Sequence, residues 1–382
     1  MKNSALVSDP PNVEKAPGAP VSSSSNKNSD QIPNEIVGIQ YLRGIAAIAV
    51  VIAHTAGMAN FDKYFGRYVL GGFLYKGTLG VDLFFLISGF IISIVSLKPG
   101  TLAPSVSFKK FMERRFARIV PLMWVAILSY AALRFTGRGV FDAWPYVRAF
   151  FLFPAGHVAP NQIWTLRHEF LFYLLFGISF LLTTRRTWIL SAWCVAPFVY
   201  SALSLPSEPE TTLGQMLRII ANPVNVEFAA GFLLGLVWLL KTNRFTFSLP
   251  ISPIVVLIGA FLGFAIIGYI LDLGVETVQK TLVSSVICLA ILFVGVHVRC
   301  NPGWGDSLMQ LFGAASFSIY LFHPHIVSAC LGIWSHYAHG TPMILVIPGI
   351  TAIAVLGTIA IHLWIERPLV KASKQLLTKY IG

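Results

Sequence analysis

From residue 36 onward, long apolar runs alternate with short polar stretches along this chain. A helix needs about 20 mostly apolar residues to cross a bilayer. Ten stretches meet or approach that length: 36–58, 78–97, 118–135, 163–182, 188–205, 224–240, 249–271, 278–296, 308–328 and 341–364. The pattern predicts an all-α polytopic membrane protein of about ten transmembrane helices. Residues 61–76 are aromatic and charged with three glycines, and are expected at the membrane interface. Residues 1–34 are rich in Ser, Asn and Pro and have no apolar core of a signal peptide. They read as a disordered tail, and the first span as its own uncleaved insertion signal. The expected organisation is a disordered cytoplasmic tail at 1–34, a transmembrane domain at 35–370 and a basic cytoplasmic tail at 371–382.

Composition sharpens this. At 55% hydrophobic and 12% charged over 382 residues, the chain has far more apolar sequence than a globular core uses. The formal charge of +12 raises the question of nucleic acid, but the basic residues sit between the apolar spans. A cytoplasmic Lys/Arg excess accounts for them, and no nucleic-acid partner is expected. Placing the N-terminus inside puts most of the Lys and Arg on that side, including Lys98, Lys109, Lys110, Arg114, Arg115 and Arg118. Both termini are then cytoplasmic, and an odd number of spans would break the bias. Cys194, Cys288, Cys300 and Cys330 are scattered without paired spacing, which supports neither a disulfide framework nor a zinc site.

Ionisable residues inside spans are costly, by roughly 2.5–3.5 kcal/mol on insertion scales, and mark function. The first span carries Arg43 and His54. Eleven helical residues leave them roughly 20° apart around the axis and about 16 Å apart along it. In the expected orientation, His54, Asp82, Glu169, Glu227 and His323 reach the outer half of the membrane from five different spans. Each alone is as well explained by pairing that holds the bundle together. An imidazole among carboxylates favours a reactive site, with Asp82 or Glu169 orienting the ring and the other ring nitrogen acting as base. On the inner side, Arg115 and Arg118 share a helix face and suit a polyphosphate. Topology marking and lipid headgroups explain such arginines equally. No Gly-x-Ser-x-Gly elbow, phosphate-binding loop or zinc-hydrolase spacing occurs, and no metal is expected.

Six motifs together resemble the acyltransferase 3 family of integral membrane acyltransferases, which includes exopolysaccharide, O-antigen and Nod-factor O-acetyltransferases. The matching elements are Arg43 with His54, the stretch GVDLFFLISGF at 80–90, and Arg115 with Arg118. They continue with Trp164, Leu166 and Glu169, then Tyr320 with His323, and finally Glu366 with Pro368. The likeness runs from about 36 to 369. It implies acyl transfer from an acyl-CoA, acetyl-CoA above all, to a hydroxyl of a carbohydrate such as exopolysaccharide, O-antigen or a lipid-linked glycan. The implied location is a bacterial inner membrane. In that reading His54, Asp82, Glu169 and His323 carry the chemistry, with His54 as base or transient acyl carrier. Arg43, Arg115 and Arg118 meet the donor, and Trp164 and Tyr320 meet the acceptor. Some relatives carry a fused hydrolase-like domain; none is expected here. Rival readings are an acyltransferase of small metabolites or lipids, and a proton-coupled transporter. His325 and the His336/His339 pair fall outside the motifs and receive no role.

Overall fold

A computed structural model describes residues 36–67, 69–138, 142–182, 186–241, 247–248, 251–274, 277–298 and 304–380. The tail expected at 1–34 lies outside the described residues. The described chain is helical, with only two isolated β-bridges, at Leu97–Pro104 and Phe247–Val298. Its helices are α1 (Val37–Ala59), α2 (Gly80–Ser96), α3 (Phe108–Arg138), α4 (Trp144–Phe150), α5 (Ile163–Ser179), α6 (Arg186–Ala202) and α7 (Thr212–Ile220). They continue as α8 (Asn225–Leu240), α9 (Pro253–Ile270), α10 (Val278–His297), α11 (Trp304–Tyr337), α12 (Met343–Ile361) and α13 (Arg367–Tyr380). A 3-10 segment, Leu70–Leu79, leads into α2, and a π-helical turn, His362–Glu366, joins α12 to α13.

Each of the ten predicted stretches is mostly helical. Among the described residues, eight helical segments are long and apolar enough to cross a membrane. The fourth and fifth predicted spans correspond to α5 and α6, which have 17 residues each, about 26 Å of rise. Large side chains on the outer surface, among them Leu128, Phe135, Val286, Ile344, Leu356 and Trp364, are apolar and exposed. Such a surface belongs against lipid.

Close helix contact positions the site. α1 runs along α11, and α2 along α8. A Cβ at Gly313 of α11 would come within 2.2 Å of the Gln40 carbonyl oxygen on α1. One at Gly231 of α8 would come within 1.8 Å of the Leu86 carbonyl oxygen on α2. Glycine at these crossings lets backbones approach where lipid offers no hydrophobic drive for association. An aromatic core around Phe172, Phe176, Trp193 and Phe228 anchors α5, α6 and α8.

Two elements extend past their apolar stretches. α3 begins at Phe108, ten residues before the predicted edge, so Arg114, Arg115 and Arg118 sit on the helix. α13 follows the last span and packs on α3, which makes the expected C-terminal tail largely helical.

Candidate active site

Two cavities meet at Val81 and Tyr320, which belong to the walls of both. One is narrow, about 100 Å³, and the other wide, about 1070 Å³.

The narrow cavity gathers the predicted arginines. Arg43 of α1, Arg115 and Arg118 of α3 and Glu169 of α5 all line it. Arg43 Nη2 donates to Ser316 Oγ at 2.8 Å, which ties α1 to α11. The Arg115 guanidinium lies 5.6 Å from the ring centres of both Phe111 and Tyr173. Aromatic faces attract a cation without consuming its donors, and Arg115 Nε is buried with no partner. Arg118 is exposed, while Arg43 and Arg115 are partly buried, so the cations grade inward. Glu169 Oε1 accepts from Ser88 Oγ at 3.3 Å and from the Tyr173 hydroxyl. With three guanidinium groups against one carboxylate, this wall suits an anion.

The wide cavity holds His54, Asp82, Trp164 and Tyr320, together with Lys63, Tyr64, Tyr75, Tyr130, Arg134 and His325. His54 Nδ1 and His323 Nε2 are 2.6 Å apart. The ring planes differ by 7° with centroids 4.9 Å apart, so the imidazoles meet edge to edge in nearly one plane. Their tautomers follow from the backbone. His323 Nδ1 lies 2.9 Å from the Ile319 carbonyl oxygen, which only accepts, so Nδ1 carries the proton. In the neutral ring His323 Nε2 is then an acceptor, and His54 Nδ1 donates to it. The remaining lone pair of His54 is on Nε2, and no hydrogen bond holds that atom among the described residues. His323 is fully buried and His54 only partly, so the free nitrogen belongs to the ring that reaches the cavity.

Helix chemistry around His323 keeps this arrangement in place. Pro324 follows it inside α11 and removes the N–H that would bond the Tyr320 carbonyl. The Tyr320 hydroxyl is 2.9 Å from Thr165 Oγ1, and Gln162 Nε2 donates to the Leu321 carbonyl at 2.8 Å. The start of α5 is thereby stitched to the α11 segment that presents the histidine.

Two expectations need correction. Glu169 stands in the narrow cavity with the arginines, and not in a layer with His54. It lies about two turns into α5, roughly 9 Å along the axis. Neither Asp82 nor Glu169 orients the imidazole, because His323 occupies its Nδ1. Asp82 does line the wide cavity, but its buried carboxyl lies against Glu227 and Ser284. A further cluster lay unassigned. Glu366 Oε2 accepts from Ser318 Oγ and from His362 Nδ1, both at 2.6 Å, and Arg367 Nε donates to His362 Nε2 at 3.1 Å. The four-residue spacing of His362 and Glu366 was the available signal. Among the described residues, no group of three or more His, Cys, Asp or Glu could hold a metal ion.

The family profile described as an acyltransferase domain, that of the acyltransferase 3 family, matches residues 36–363. The chain belongs to the acyltransferase 3 family. It is similar to the exopolysaccharide production protein ExoZ of Rhizobium meliloti, 28% identical over 78% of this chain and 91% of ExoZ. It is also similar to the acyltransferase MdmB of Streptomyces mycarofaciens, 27% identical over 76% of this chain and 80% of MdmB. A shorter likeness, 34% identical, joins 24% of this chain to 13% of the peptidoglycan O-acetyltransferase OatA of Listeria monocytogenes. No solved structure matches. This acyltransferase 3 protein is therefore an integral membrane acyltransferase.

Proposed function

We propose that this protein moves an acyl group, acetyl in the first instance, from acyl-CoA to a hydroxyl of a carbohydrate, in a bacterial inner membrane. The observation that carries the reading is the free Nε2 of His54, facing a wide cavity whose wall at Val81 and Tyr320 borders the arginine cavity. The relatives named for exopolysaccharide production and peptidoglycan O-acetylation favour a carbohydrate acceptor.

In this reading the diphosphate of the donor meets Arg118 and Arg115, where the cations are most open. Beyond them the acyl-bearing arm extends past Arg43 into this cavity of about 100 Å³. His54 Nε2 takes the proton of the acceptor hydroxyl as its oxygen attacks the thioester carbonyl. The tetrahedral intermediate collapses, the C–S bond breaks, and the same proton passes to the departing thiolate, giving the ester and free CoA. Positive charge that develops on His54 is shared through Nδ1–H with His323 Nε2. A base of this kind contributes about 10²–10⁴-fold.

The test uses purified protein, acetyl-CoA labelled in the acetyl group, and a panel of oligosaccharides. Label appearing in an alkali-labile ester, dependent on His54, is the expected result. Label that stays on acetyl-CoA with every acceptor, while a solute flows through proteoliposomes, would overturn the proposal in favour of a transporter.

A further inference from the structure

The wide cavity contains more cationic charge than its own acids use. Three basic side chains line it: Lys63, Lys76 and Arg134. Lys76 is committed, with Nζ 2.9 Å from Asp272 Oδ1 and 3.2 Å from the Leu273 carbonyl. Asp272 is itself shared with Lys280, also at 2.9 Å. The other acid in the wall, Asp82, is buried against Glu227. Lys63 and Arg134 therefore have no carboxylate within ion-pair reach among the described residues.

What holds them instead is aromatic. Lys63 Nζ lies 4.5 Å from the Tyr64 ring centre and 5.8 Å from that of Phe61. The Arg134 guanidinium lies 6.0 Å from the Tyr130 ring centre. Tyr64 is buried, with its hydroxyl 2.8 Å from Ser328 Oγ, so its ring is a fixed platform. A ring face orients a cation electrostatically and leaves its N–H donors free. In the orientation that loop charge favours, both residues fall on the membrane face with fewer basic residues, so topology marking does not account for them.

We propose that the acceptor carries an anionic group, a carboxylate or a phosphate, bound by Lys63 and Arg134 in the wide cavity. This deepens the acyl-transfer reading and rests on it. The guanidinium fork of Arg134 matches either anion in two-point fashion, and Lys63 adds a point charge. Exposed Phe61 and Tyr75 and the partly buried Trp164 supply flat apolar faces for sugar C–H groups in the same cavity. A neutral sugar entering here strips water from both cations and returns no charge, which discriminates against it. Anchored by its anion, the acceptor presents a hydroxyl to His54 in that cavity.

The experiment measures equilibrium binding to the full chain in lipid nanodiscs with two matched pairs of probes. One pair is a glucuronic-acid tetrasaccharide and its carboxyl-reduced counterpart. The other is a disaccharide on a polyprenyl pyrophosphate and the same disaccharide on a neutral polyprenol. In at least one pair the anionic member binds about tenfold tighter, and the responding pair identifies carboxylate or phosphate as the group. Lys63→Gln reduces that preference about threefold, and Arg134→Gln removes most of it. Arg134→Lys restores part, which a loss of folding would not. Equal binding within both pairs, absence of binding in both, or a preference that survives the double Gln variant would overturn the proposal. Labelled acetyl transfer to a neutral acceptor under those conditions would leave the acyltransferase reading standing.

Discussion

The two cavities that meet at Tyr320 are built on opposite principles. The narrow one is a cleft of fixed charge: guanidinium groups clamped by rings, a serine and a nearby carboxylate. The wide one presents His54, one member of a hydrogen-bonded imidazole pair, among aromatic faces. Fixed charge recognises; it gives grip and orientation but has no proton to move. An imidazole pair with one free lone pair does the reverse, because its protonation changes within a reaction. On the proposed reading, separating recognition of the donor from the reacting centre would let each environment be tuned alone. α1 contributes one member to each side.

Mutations can break this contrast, and they should do so unequally. The largest effect is expected for His54→Ala, which removes the free nitrogen: kcat for acetyl transfer falls by about 10³-fold while membrane insertion is unchanged. A correctly inserted variant with normal turnover would contradict the assignment of chemistry to the wide cavity. His323→Ala removes the acceptor that fixes the His54 tautomer, and kcat is expected to fall about 10²-fold. His323→Gln, whose amide oxygen accepts in a similar place, should recover part of that loss. Equal loss in the two variants would argue that His323 acts through packing.

On the narrow side the signature changes from kcat to KM. Arg115→Gln is expected to raise KM for acetyl-CoA about tenfold with kcat nearly unchanged. A kcat loss at constant KM would move Arg115 from donor binding to the reacting centre. The smallest effect belongs to the exposed clasp at the rim of the wide cavity. Hydrogen bonds from Lys76 and Lys280 hold the Asp272 carboxyl down at about 2, below the ordinary carboxylate value. Whatever stability the clasp gives is complete above that ordinary value and is lost as pH falls through about 2. Between about pH 5 and pH 8 it stays ionised, so Asp272→Asn should not alter how Tm depends on pH in that window. A pH-dependent difference between variant and parent there would show that the clasp is not held as described.

Hydropathy located the spans because apolar length is what a bilayer demands of a helix. The pairing of Arg43 with His54 was legible for a local reason: both lie on one helix, whose geometry is fixed by the backbone. Depth in other helices was less legible. Assigning Glu169 to the layer of His54 assumed upright helices starting at a common boundary, whereas α5 carries it to the arginines. The early start of α3 was hidden because Lys109, Lys110, Arg114 and Arg115 dilute the apolar average of a continuous helix. α13 was hidden likewise by its polar face. His54 and His323 were both named as candidates, but their direct bond joins residues 269 positions apart. No local pattern encodes such a contact, and a carboxylate was the more familiar partner to expect.

The rigid rise of α1 has one more consequence. Because Arg43 and His54 ride on one uninterrupted helix, the rise between them is a built length of about 16 Å. On the proposed acyl-CoA reading, the helix would act as a ruler for the donor. Under that proposal a short activated acyl compound such as acetyl phosphate would reach one mark or the other, not both, and its grip would not position its carbonyl. Inserting one residue between the marks turns His54 by about 100° away from its cavity, and deletion turns it the opposite way. On that reading, selection of a long-armed donor would need no dedicated pocket for the arm's far end, only the spacing of two side chains on one helix.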